Sequence, residues 1–164
     1  MSTVAARLHI NAAADLTPAT PHSKPIGHNL ENATGGQGWR NGTASGQVDR
    51  VLRENYTLGA SATDSFNLLA AGSLTDMIGQ AIDADELKGL VIKCTSGEVT
   101  LEAPASNGLG FFKAAQDGIV LASGQTLALD LGAAGLDVTT NASFDVTDSG
   151  GAGSNYELWL VLAQ

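Results

Sequence analysis

Short runs in which apolar and polar residues alternate one by one recur through most of this chain, and they constrain its fold more than any other feature. Phe66 and Leu68 alternate with Ser65 and Asn67, Val99 and Leu101 with Thr100 and Glu102, and Leu127, Leu129 and Leu131 with Ala128 and Asp130. Leu136 and Val138 alternate with Asp137 and Thr139, and Phe144 and Val146 with Asp145 and Thr147. Tyr156, Leu158, Leu160 and Leu162 alternate with Glu157, Trp159, Val161 and Ala163. A period of two sends successive side chains to opposite faces of a strand, so each run has one face for a core and one for water. Turn signals stand between the runs: Thr95-Ser-Gly97, Ser106-Asn-Gly108, Gln116-Asp-Gly118, Ala122-Ser-Gly124 and the stretch from Asp148 to Gly153. About eight short strands at this spacing predict one antiparallel β-sandwich or jelly-roll-like domain. Leu87–Cys94 is a further expected strand, and Asp83–Glu86 and Leu74–Gly79 are expected to form at most a turn of helix each. The final run is apolar on both faces, which places it in the middle of a sheet or under a neighbour, with Trp159 in the core.

The front of the chain differs. Residues 11–46 hold Pro18, Pro21 and Pro25, then Gly35-Gly-Gln-Gly38, Gly42 and Gly46, and show no sustained alternation. The expected division is an irregular N-terminal arm over residues 1–46, with a weak strand signal from Val4 to Ile10, and a sandwich domain over 47–164. The expected core comprises Phe66, Leu68, Leu90, Ile92, Val99, Leu101, Leu127, Leu129, Phe144, Leu158 and Leu160.

Charge sharpens this division. Residues 1–58 carry five basic groups against four acidic ones, a net +1, and residues 59–164 carry three lysines against thirteen acids, a net −10, so the negative charge resides in the body. Phosphate contacts need a basic surface, which argues against a nucleic-acid partner. No stretch approaches the ~18 apolar residues of a membrane span, so no membrane partner is expected. No secretory leader is recognisable at Met1–Ile10, which points to synthesis in a cytoplasm. The lone Cys94 excludes an intrachain disulfide and reads as a buried thiol.

Chemistry is sparse. His9, His22 and His28 all lie in the irregular front, and their spacing fits no compact zinc pattern. No Gly-x-Ser-x-Gly elbow, Walker loop or EF-hand loop is present, and pairs such as Asp83/Asp85 and Asp145/Asp148 read as solvated strand ends and turns. The expectation is therefore no enzyme, no metal and no cofactor. Tryptophan and arginine dominate interface hot spots, so the candidate docking residues are Arg7, Trp39, Arg40, Arg50 and Arg53.

A resemblance adds to this. Gly42-Thr-Ala-Ser-Gly-Gln-Val-Asp-Arg50, Thr57-Leu-Gly-Ala-Ser-Ala-Thr-Asp64, Phe66-Asn-Leu68, Gly72-Ser-Leu-Thr-Asp76 with Gly79, and Leu87-Lys-Gly-Leu-Val-Ile-Lys93 follow one another in order. That order, over about residues 42–164, resembles a family of small proteins encoded among the virion genes of tailed bacteriophages. The resemblance implies a β-sandwich or jelly-roll structural protein that decorates or cements the outside of a capsid. It implies the major capsid protein as partner, a homotrimer or other homo-oligomer, and a place on the virion surface. The sequence departs from that family before Leu87, where Gln80-Ala-Ile-Asp-Ala-Asp-Glu86 replaces a basic or aromatic stretch. The alternative function is a receptor- or glycan-binding module of a phage tail or head fibre, against which the low aromatic content of 5% counts.

Overall fold

In the computed structural model the chain is described over residues 6–7, 38–41, 47–70, 74–76 and 79–164, with side chains described from residue 47 onward. Twelve strands are found among these residues: β1 (Ala6–Arg7), β2 (Gly38–Asn41), β3 (Gln47–Val48), β4 (Arg50–Leu58), β5 (Thr63–Asn67), β6 (Glu86–Ser96), β7 (Glu98–Glu102), β8 (Gly118–Ala122), β9 (Thr126–Asp130), β10 (Leu136–Asp137), β11 (Ser143–Asp148) and β12 (Ser154–Ala163). The fold is all-β, with antiparallel sheets stacked as a jelly-roll-like sandwich. Among the described residues no helix is long and apolar enough to cross a membrane.

The longer sheet runs β10-β6-β12-β4, with β9 also paired to β6. The shorter runs β5-β11-β7-β8. Alternation explains both. On β12, Tyr156, Leu158, Leu160 and Leu162 are buried, while Glu157, Trp159 and Val161 face outward. β12 is central, as its two apolar faces imply, but the Trp159 ring is on the outer face and 37% exposed rather than in the core. Across the interior, Val99, Leu101, Phe144 and Val146 of the short sheet meet Leu90, Ile92, Leu158 and Leu160 of the long one. Leu127 and Leu129 point inward but are only partly covered, because β9 lies at the flank of its sheet.

Three details depart from the sequence expectation. Gly38–Asn41, inside the stretch expected to be irregular, forms a strand that pairs antiparallel with β1 and parallel with β3. Its backbone groups find ladder partners there on both sides. The Arg40↔Gln47 pair carries this ladder across the expected arm boundary. The helical turn expected at Asp83–Glu86 does not occur, and the one expected at Leu74–Gly79 lies partly outside the described residues. Glu86 already opens β6, and Asp83 accepts the Ala70 N–H at 2.9 Å instead of capping a helix. The third concerns what the expected turn at Thr95-Ser-Gly97 joins: two different sheets. β6 belongs to the long sheet and β7 to the short one, and Gly97 alone carries the chain between them. It does so at φ +75°, and a Cβ there would stand 2.3 Å from the Ser154 hydroxyl, so only glycine fits.

That corner is secured by a buried carboxylate. Asp148 accepts the Ser61 N–H at 2.8 Å, the Gly153 N–H at 3.2 Å and the Ser154 hydroxyl, and Ser154 in turn accepts the Glu98 N–H at 3.0 Å. The Ser154 hydroxyl, followed by the Ser61 N–H, holds the Asp148 carboxyl below the usual aspartate range. Asp148, expected to be a solvated strand end, instead joins three strand ends. A depressed folded-state pKa contributes stability above the unfolded value of about 3.9, and that stability is lost as pH falls through the folded value. The wild-type urea midpoint should therefore decline as pH is lowered below about 4. Asp148→Asn should lower the midpoint at pH 7 and flatten that acid decline; equal acid slopes in both proteins would show that Asp148 is not the group responsible.

Candidate docking face

Register along β4, β12, β6 and β9 sets the outer surface of the long sheet. Trp159 lies opposite Arg53 on β4 and Val91 on β6, and Val91 opposite Ala128 on β9. One row along, Glu157 lies between Asn55 and Lys93; in the other direction, Val161 lies between Val51 and Gly89. Val51, Val91, Ala128 and Val161 are half-buried, so an apolar strip runs across the sheet with the Trp159 ring standing in it.

Arg53 is held over this strip. Its guanidinium carbon lies 4.2 Å from the Trp159 ring centroid, and its Nη2 and Nε lie 2.9 and 3.0 Å from Glu157 Oε1. At an exposed site the stacking contributes about 0.5–1 kcal/mol. The ion pair contributes about 0.2–1 kcal/mol. These are small amounts for stability, but they fix a flat cation on a flat aromatic ring before any partner arrives, which reduces the ordering cost of binding. Hydrogen bonding to Arg53, then to Trp159, with the charge of Lys93 nearby, holds the Glu157 carboxyl below the usual glutamate range.

The remaining cations of residues 47–164 emphasise this face. Lys88 is fully buried, and Arg50 is engaged by Asp49 at 3.1 Å and by Asp76 at 3.9 Å. Of the three exposed cations, Arg53 and Lys93 stand on the outer face of the long sheet and Lys113 stands in a loop. The outer face of the short sheet is opposite in character. Glu98, Glu102 and Asp145 lie there among Thr63, Ser65, Thr100 and Thr147, and the Thr147 hydroxyl donates to Glu102 at 2.6 Å.

Of the sequence candidates, Arg53 is on this face. Arg50 is not; it donates to the Asp49 carboxylate and backbone and reaches the Ala81 carbonyl and the Asp76 carboxylate, fastening both residues to β4. Arg7, Trp39 and Arg40 lie on the backbone of β1 and β2, and their side chains fall outside the described residues, as do His9, His22 and His28. Trp159, expected in the core, is the residue of this face that the sequence reading did not place there. Its parity with Glu157 and Val161 was the available signal.

Two other features are engaged within the fold itself. A cleft of about 290 Å³ opens between β4 and β5, lined by Leu52, Glu54, Tyr56, Asp64, Phe66 and Thr75. Its carboxylates are occupied: Tyr56 donates to Glu54 and Tyr156 to Asp64, each at 2.7 Å, and burial with these bonds pushes both phenols up. Cys94 is buried with its Sγ 3.4 Å from the Ser96 carbonyl, and burial pushes its thiol up, away from reactivity. Among the described residues no three His, Cys, Asp or Glu side chains converge as a metal site.

These observations define an all-β sandwich with one apolar, cation-bearing face and one acidic, hydroxyl-rich face. No protein-family profile matches the chain, and no curated protein matches it in sequence. Solved structures similar to it include the cupin domain of Schizosaccharomyces pombe Cnp3, at 4% identity over 92% of this chain and 83% of that one, with a TM-score of 0.39. A cupin superfamily protein from Desulfitobacterium hafniense aligns over 72% of each chain at 10% identity and TM-score 0.37. Drosophila melanogaster CENP-C bound to CAL1 aligns over 75% of this chain and 70% of that one, at 10% identity and TM-score 0.38. Likenesses this loose have no bearing on function.

Proposed function

We propose that this chain is a non-enzymatic virion structural protein that binds the outside of a tailed-phage capsid, as a decoration or cement protein stabilising the shell. The observation that carries the proposal is the Arg53–Trp159 face: a pre-ordered Trp/Arg pair in an apolar strip, with Lys93 beside it, on a body that is otherwise acidic. Such a face suits a receiving surface that offers carboxylates around an apolar socket, leaving the acid-and-hydroxyl face toward solvent. The order of sequence motifs over residues 42–164 supports the virion setting. The major capsid protein is the proposed partner, the chain acting as a homo-oligomer, with Arg7, Trp39 and Arg40 of the front segment as a second set of contacts.

The test is co-sedimentation with capsids assembled from the major capsid protein of the same genome. Wild-type protein should saturate a fixed number of lattice sites. Trp159→Ala should weaken binding at least about tenfold, the scale of a hot-spot truncation, and added salt should weaken it further. Deleting residues 1–40 should leave a folded sandwich with reduced binding. Capsids that take up no protein, alongside binding to host-surface glycans, would replace this reading with that of a receptor-binding module.

A further inference from the structure

The flank of the sandwich formed by β8 and β9 has the features of a surface made for strand pairing. β8 pairs with β7 on one side only, and among the described residues no strand occupies its other side. An open edge presents a row of unpaired N–H and C=O groups, and sandwiches ordinarily blunt such edges with charge, proline or a bulge. Here none is present. From Gly118 to Leu129, through β8, the Ser123–Gln125 turn and β9, the chain has no charged residue and no proline. Ile119 is 39% exposed and Val120 is 55% exposed, two of the three exposed large hydrophobic residues among those described. Leu127 and Leu129 of β9 face the interior and are only partly covered.

The opposite flank is protected. β5 carries Asp64, β4 carries Arg53 and Glu54, and Asp76 and Ala81 lie against β4 at the Arg50 side chain. With a net charge of −9, two copies repel over most of their surfaces. The β8–β9 flank adds nothing to that repulsion, since residues 118–129 carry no charge.

We propose that this flank is where two copies of the chain associate, by antiparallel pairing of β8 with β8 of the second copy about a two-fold axis at Val120. The local charges select this arrangement. Asp117 precedes β8 directly. Parallel pairing would set it beside its own counterpart, whereas antiparallel pairing about Val120 sets it across from Ser123. At about 3.3 Å per residue the two Asp117 carboxylates are then roughly 20 Å apart, beyond the screening length of about 8 Å at physiological salt. Gly118 would face Ala122, Ile119 would face Leu121, and the two Val120 side chains would meet, joining the short sheets of two copies into one continuous sheet. The contact is isologous, so it closes at two copies and leaves both Trp159 faces free. It does not depend on the capsid reading.

Sedimentation equilibrium of the full chain and of Val120→Lys tests this. The wild type should be dimeric at micromolar concentration. Placing two lysines face to face should raise the dissociation constant about tenfold or more, with an unchanged far-UV circular dichroism spectrum. Val120→Cys, treated with a short bis-maleimide, should give a covalent dimer through the introduced thiol, while wild type, whose only thiol is buried, should not. A wild-type monomer at all concentrations overturns the proposal. So does a folded Val120→Lys protein that dimerises as well as wild type. Should the lysine variant fail to fold, the absence of cross-linking in Val120→Cys overturns it alone.

Discussion

Phe144→Ala is expected to destabilise the folded chain by about 3–5 kcal/mol, a large fraction of the roughly 5–15 kcal/mol of an ordinary domain. Phe144 is fully buried on β11, the strand between β5 and β7. Its ring stacks on Phe66 at 4.9 Å, Phe66 meets Tyr56 edge-on at 5.2 Å, and Tyr56 stacks on Tyr156 at 5.1 Å. This pile begins in the short sheet and ends in the long one, so it is part of what holds the two layers together. Truncation at its inner end removes the transfer energy of the ring, leaves a cavity that strands on both sides hinder from closing, and deprives Phe66 of its stacking partner. A urea titration should show a lower midpoint with an unchanged slope. A loss under 1 kcal/mol would mean that Phe66 and Tyr56 slide in to fill the space.

The features that this pile and the rest of the interior rely on were legible to different degrees. Alternation named the inward side of β5, β7, β11 and β12 correctly, because pleating ties facing to sequence parity. Parity does not report coverage. Leu127 and Leu129 have the right facing on β9 but lie at a flank, and Trp159 is on the wet face although its size suggests the core. Besides the short β2 and β3, two longer strands were not anticipated. β4 places Glu54 and Tyr56 in line with Leu52 and Leu58, and those two polar groups line the lateral cleft, so its inward pattern is broken. β8 is an unbroken apolar run with four exposed residues out of five, so there is no polar outer face to alternate with. Of the docking candidates, Arg53 reached the outer face because it sits opposite Trp159, whereas Arg50, three residues earlier, is turned into an ion pair. That distinction depends on which element packs against each end of β4. Asp148 and Lys88 were illegible for the same reason: a charge can be buried only where distant backbone groups converge on it.

Lys88→Met is expected to cost about 2–4 kcal/mol, toward the lower part of the range for breaking a buried ion pair. Between the pairs Gly89↔Val161 and Leu87↔Leu162 the ladder of β6 and β12 shifts register, and Lys88 is the extra residue on β6. A bulge re-aims its side chain, and Lys88 ends fully buried. Its ammonium uses all three protons: it donates to the Glu86 carboxylate and to the carbonyls of Ala133 and Ala134, the latter two at 2.9 Å each. The Lys88 carbonyl accepts the Leu131 N–H at 3.0 Å, so main chain and side chain together grip residues 131–135 between β9 and β10. Gly135 completes the fit. At φ +74° a Cβ there would stand 2.8 Å from the lysine Cδ, so only glycine lets the stem pass. Methionine preserves the apolar stem and removes the charge, leaving two carbonyls without their donor. The Glu86 carboxylate can still reach water, since its side chain is 34% exposed, which is why the full buried-pair penalty is not expected. Glu86→Gln should cost less than Lys88→Met, and the double variant should cost less than the sum of the two, because each removes the same contact. Hydrogen exchange distinguishes a local from a global effect. In Lys88→Met the Leu131 amide should lose more protection than amides in the middle of β12. Equal losses at both places would mean that Lys88 supports the whole sandwich rather than the loop that crosses its end.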